Sequence, residues 1–219
     1  MGWIVSRKLN FILIHIPKTA GSSIGDPSYK KFRKGSLIQY LGEDDEAYQG
    51  HIKAIELKEK LKEPWRDFFK FCFVRNPWDR LVSAYLFYKQ SVSSVSSLIS
   101  FTQEHYKKHT VLGQQISKCF DFREFCQNIN NFELDIHFEP QLNFISDAES
   151  NVIVDFIGRF EKLKEDLEYI CDRIKIPRLE LPHYRKTKRK DFRLYYDDET
   201  KEIVRKKYQN DIEFLNYSF

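Results

Sequence analysis

The chain has 219 residues, 42% of them hydrophobic and 16% aromatic, enough apolar surface for a substantial core and too much for a disordered chain. Thirty-six Lys and Arg stand against 32 Asp and Glu, a net +4 that suits an anionic ligand without calling for nucleic acid. No apolar run approaches the ~18 residues of a membrane span, and the first strand-like run begins too early to leave room for a signal peptide, so a soluble, cytoplasmic protein is expected.

Phe11 to Ile16 reads as a short strand buried on both faces, with His15 inside it. The chain then turns at once into Pro17-Lys18-Thr19-Ala20-Gly21-Ser22-Ser23. Amides at a helix start have no partner within the helix and carry the positive end of its dipole. Lys18 adds a full charge, Thr19, Ser22 and Ser23 add hydroxyl donors, and Gly21 lets the backbone come close to a ligand. A phosphate-binding loop is predicted. It is not the usual nucleotide-triphosphate loop, because the lysine precedes the glycine. A polar turn whose serine merely caps the helix is the plain alternative.

Beyond Ser23, Gly25-Asp26-Pro27 limits the first helix to one short turn, with a second start near Asp26-Pro27. Residues 35–50 are turn-rich and read as irregular. His51 follows Gly50 on a loop at the entry to a charged helix carrying Ile55, Leu57 and Leu61. Asp67 to Val74 is a second buried strand, and it ends in Arg75-Asn76-Pro77-Trp78-Asp79-Arg80. Pro77 suits a first helical position, and Trp78, Leu81, Val82 and Tyr85 recur at helical spacing. Arg75 at the strand end and Ser83 about two turns into the helix can face one anion. Alternatively, Arg75 pairs with Asp79 and Ser83 sits on a solvated face.

Residues 86–135 read as helical, broken by serines from Ser91 to Ser97. His105 and His109 lack a zinc signature, and the four cysteines (Cys72, Cys119, Cys126, Cys171) show no close pair, so no metal site is expected. Gln141 to Ile145 reads as a short extended piece and Val152 to Phe160 as a third strand. An amphipathic helix follows with Leu163, Leu167, Ile170 and Ile174 inward. The segment from Leu181 to Phe192 is the most basic, with Arg185, Lys188 and Arg189 among its cations. A last helix runs from Asp197 to about Leu215, and the tail closes on the core.

The loop His15-Ile-Pro-Lys-Thr-Ala-Gly-Ser-Ser23 resembles the 5′-phosphosulfate loop of sulfotransferases that use 3′-phosphoadenosine 5′-phosphosulfate (PAPS), in their carbohydrate-modifying branch. The Gly50-His51 step, Arg75-Asn76-Pro77 with Ser83, and Gly158-Arg-Phe-Glu161 are similar to the same family. The resemblance implies an α/β, three-layer P-loop-like sulfotransferase fold, with a mainly parallel sheet of four or five strands flanked by helices, as one domain over residues 1–219. It implies sulfuryl transfer from PAPS to a hydroxyl, a carbohydrate being the expected acceptor. Lys18 and His51 would be catalytic. Lys18, Thr19, Gly21, Ser22 and Ser23 would hold the 5′-phosphate and Arg75 and Ser83 the 3′-phosphate, with Arg185, Lys188 and Arg189 in a flap over the nucleotide. Neither nucleic acid nor membrane is an expected partner, and the oligomeric state is left open. A P-loop kinase and a non-catalytic polyanion-binding module stay as alternatives.

Overall fold

Two apolar runs set the sheet. Phe11–Ile14 (β2) and Phe69–Val74 (β4) pair in parallel, Phe11 opposite Phe69 and Leu13 opposite Phe71. The computed structural model describes residues 3–25, 36–48, 50–95, 104–132, 135–179, 181 and 189–219. Among them a five-stranded sheet has the order β3-β1-β2-β4-β5, where β1 is Ile4–Ser6, β3 is Glu46–Ala47 and β5 is Phe156–Arg159. β5 is parallel to β4, whereas β1 runs antiparallel to both β2 and β3. The sheet is therefore mixed, not mainly parallel: its β2-β4-β5 side is parallel and its β3-β1 edge is antiparallel.

The chain forms two compact units, Met1–Arg75 with Pro140–Lys188, and Asn76–Glu139 with Arg189–Phe219. The first unit holds the sheet. On one sheet face Ile4, Phe11, Leu13, Phe71 and Phe73 form a core cluster with Ile24 of helix α1 (Gly21–Gly25) and Leu167, Ile170 and Cys171 of α6 (Leu163–Arg173). Burying one such large apolar side chain contributes about 1.5–3 kcal/mol. Gly158 in β5 is required by its neighbour, since a Cβ there would lie 2.6 Å from the Phe73 ring. Between β3 and β4 comes α2, Ala54–Leu61, anchored by the fully buried Ala54 and Leu57.

In the second unit the long α3 (Pro77–Val95) packs on α4 (Glu104–Lys118). Trp78, Leu81, Val82, Tyr85 and Tyr88 of α3 enter a core with Phe122 and Phe125 of α5 (Phe122–Gln127) and Val204 of α7 (Asp198–Lys207). The C-terminal residues close on this core: Phe219 meets the Trp78 ring edge-on at 5.5 Å, and the Ser218 carbonyl accepts from Asn76 Nδ2 at 2.8 Å.

Several boundaries differ from expectation. The final helix is two, α7 and then α8 (Gln209–Phe214), broken at Tyr208, where φ is −113° and ψ 27°. Leu142–Phe144 forms a 3-10 turn rather than an extended piece, closed by the Phe144 amide on the Gln141 carbonyl at 3.1 Å. The third strand begins at Phe156, since Val152 forms only an isolated bridge with Ser146. Residues 35–50 hold a 3-10 turn at Leu37–Tyr40 as well as β3. The expected helix start at Asp26-Pro27 lies outside the described residues. Among the described residues no helix is long and apolar enough to cross a membrane.

Candidate active site

The loop after β2 is held by its own backbone. Thr19, almost fully buried, donates its hydroxyl to the Ile16 carbonyl at 2.8 Å. On either side Lys18 and Ala20 take the left-handed conformation, with φ of 69° and 72°. Non-glycine residues adopt that region at a cost, and such alternation turns successive amides toward one side, where they can receive an anion. The Ala20 carbonyl accepts from the Ser23 and Ile24 amides at 2.9 and 3.2 Å, which starts α1 at Gly21. Since α1 spans only five residues, its dipole is small. Lys18 and Ser23 are half-buried and Gly21 buried; the Ser22 side chain lies outside the described positions.

Arg75, where β4 ends, comes to this loop. Its Nη1 donates to the Lys18 carbonyl at 3.0 Å, and its guanidinium lies over the Phe160 ring at 4.0 Å. Gln141 grips its backbone: the Arg75 amide donates to Oε1 and Gln141 Nε2 donates to the Arg75 carbonyl, both at 2.9 Å. Phe160 follows β5, so loop, β4 end and β5 end converge on one guanidinium.

His51 sits in the loop before α2, half-buried. Its Nδ1 lies 3.1 Å from the His15 carbonyl oxygen, and its ring is 4.9 Å from that of the buried His15. A carbonyl can only accept, so Nδ1 carries the proton and the neutral ring keeps its lone pair on Nε2. Cys72, fully buried in β4, has its thiol pushed far up by burial and is an inert core side chain.

The second unit places the remaining expected residues. Ser83 is half-buried on α3. Asn76 caps α3, its Oδ1 accepting from the Trp78 and Asp79 amides at 3.1 and 3.4 Å. Asp79 pairs with Arg189, and Arg189 Nη1 is buried without a hydrogen-bond partner. Arg185 and Lys188 lie outside the described residues.

Three sets of contacts were not legible in the sequence: those of Gln141, which carries no local signal, and of Phe160, which lies in the Gly158-Arg-Phe-Glu161 step but whose partner is far away in the chain. The third is a buried network in the second unit, where the Asp135 carboxylate accepts from Tyr88 at 2.8 Å and from the His137 amide at 2.9 Å, with His137 Nδ1 also at 2.9 Å. Among the described residues no group of three or more His, Cys, Asp or Glu could hold a metal ion.

On this α/β frame the loop after β2 is joined to Arg75 through the Lys18 carbonyl and to His51 through the His15 carbonyl. Comparison with known proteins gives the particular family: the sulfotransferase family model matches residues 1–218, and the chain belongs to that family. An uncharacterized protein of Archaeoglobus fulgidus is 28% identical over 116 residues, 53% of this chain and 75% of the archaeal one. Carbohydrate sulfotransferase 14 of Danio rerio is 26% identical over 124 residues, 54% of this chain and 33% of the fish enzyme. The match thus spans about a third of the fish protein's length. No solved structure matches. The family implies PAPS as the sulfuryl donor.

Proposed function

We propose that this sulfotransferase moves the sulfuryl group of PAPS to a hydroxyl of a carbohydrate. The contact of Arg75 with the Lys18 carbonyl is the observation that carries the reading. It joins two segments, 57 residues apart, that the sequence singles out as anion sites. The carbohydrate acceptor is inferred from the likeness to carbohydrate sulfotransferase 14. A match over residues 1–218, with the parallel β2-β4-β5 side, supports a three-layer P-loop-like fold acting as one domain.

In this reading the acceptor oxygen attacks sulfur as the bond from sulfur to the 5′-phosphate oxygen breaks. The acceptor proton passes to Nε2 of His51, and the products are a sulfate ester and adenosine 3′,5′-bisphosphate. The transition state is loose, as in phosphoryl transfer, with charge growing on the leaving oxygen. Lys18 and the amides of Thr19, Gly21, Ser22 and Ser23 hold that charge. Thr19 acts through its amide, since its one hydroxyl proton is on the Ile16 carbonyl. Arg75 and Ser83 bind the 3′-phosphate, and Arg185, Lys188 and Arg189 cover the nucleotide. A sulfuryl group carries less charge than a phosphoryl group, so no metal is expected to be needed.

Thermal unfolding tests this directly. Adenosine 3′,5′-bisphosphate in chelator should stabilise the protein by ~2.7 kcal/mol at a hundredfold excess over Kd. Equal stabilisation by ATP with magnesium, or loss of the effect in chelator, overturns the assignment in favour of a kinase.

A further inference from the structure

Gln141 is fully buried, and its carboxamide lies along the Arg75 backbone as a neighbouring strand would, one hydrogen bond in each direction. Both bonds fall one residue past the last ladder pair of β4 and β5, Val74 with Arg159, where Arg75 would otherwise begin to turn away. A side-chain amide offers one donor and one acceptor in a plane; neither a carboxylate nor a thioether can do so. With its backbone so fixed, the Arg75 side chain reaches the Phe160 face and the Lys18 carbonyl. That carbonyl belongs to a residue held in the left-handed region, so the guanidinium supports the loop conformation as well.

We propose that Gln141 is a positioning residue for the donor: it sets Arg75, and through Arg75 the Lys18 loop, in register for a nucleotide bearing a 3′-phosphate. The inference rests on the reading of Arg75 as a ligand of that phosphate. It separates from a merely structural role because a strand-end clamp alone affects stability without affecting which nucleotide is preferred.

The readout is the ratio of Kd for adenosine 5′-monophosphate to Kd for adenosine 3′,5′-bisphosphate, measured by titration calorimetry. Partial unfolding raises both apparent Kd values by the same factor, so the ratio reports geometry. Arg75→Ala should lower the ratio about tenfold or more, the loss expected for a charge-assisted contact. Gln141→Met should lower it comparably, and adding Gln141→Met to Arg75→Ala should change it by less than about twofold, since the two act as one. Should Gln141→Met not fold, Gln141→Glu keeps the shape and one acceptor while setting a second carboxylate oxygen against the Arg75 carbonyl. A wild-type preference that survives the Gln141 substitution overturns the inference alone. A wild-type ratio near one overturns the donor reading and the inference with it.

Discussion

A histidine takes a proton on the ring nitrogen that keeps its lone pair, and the partner of the other nitrogen decides which one that is. At His51 that partner is the His15 carbonyl, 3.1 Å from Nδ1, and the buried His15 ring beside it limits rotation. His51→Ala should therefore lower turnover by ~10²–10⁴, the range for a lost general base, with nucleotide affinity nearly unchanged. In the wild type, activity should rise with pH through one ionisation, and that step should be missing from the variant. A pH profile of turnover at saturating donor checks both points. Retention of more than about a tenth of wild-type turnover means that the proton goes elsewhere. The sequence placed His51 on its loop, but the tautomer follows only from His15, because the partner is a backbone atom that no side-chain pattern reports.

Among the elements, α3 and the 3-10 turn at Ile136–Phe138 are tied by polar groups rather than by apolar area alone. The nearly buried Arg80 of α3 donates to the His137 and Glu139 carbonyls at 3.3 and 2.6 Å, and Tyr88, two turns on, reaches Asp135. Burial by itself raises a carboxyl pKa, but hydrogen bonds from His137 and Tyr88 outweigh it and hold Asp135 down at about 2. A folded-state value below the ordinary ~3.9 means stability that is present above about pH 4 and lost as pH falls toward 2, about 2 kcal/mol in all. Urea unfolding across that range should show the loss, and Asp135→Asn should lower neutral-pH stability by a similar amount while flattening the acid slope. An unchanged slope in the variant assigns the acid sensitivity to other carboxylates. Elements with strong apolar runs, β2, β4 and α6, were legible in sequence because their own residues decide them. The short antiparallel strands β1 and β3 have three and two residues, too few to show a period, and exist because neighbours pair with them. The grip of Gln141 on Arg75 crosses 66 residues of chain and had no local trace.

At the scale of the molecule, the family match runs over residues 1–218, across both compact units, although each unit has its own apolar cluster. If the two act as one domain, they must unfold together. The tryptophans divide usefully for that purpose: Trp3 and Trp65 are buried in the first unit and Trp78 in the second. Trp78→Phe leaves fluorescence from the first unit alone, and a Trp3→Phe, Trp65→Phe double variant leaves it from the second. Removing a buried indole costs stability, so the two variants are not compared with each other. Within each variant the fluorescence transition is compared with far-ultraviolet circular dichroism, which counts helices of both units. The two curves should coincide in urea, and saturating adenosine 3′,5′-bisphosphate should move them together in both variants, because a ligand of the native state of a cooperative domain stabilises all of it. A fluorescence transition displaced from the dichroism curve, or a ligand shift confined to the Trp3 and Trp65 signal, shows two separately folding bodies and leaves nucleotide binding to the first, without Ser83 and Arg189.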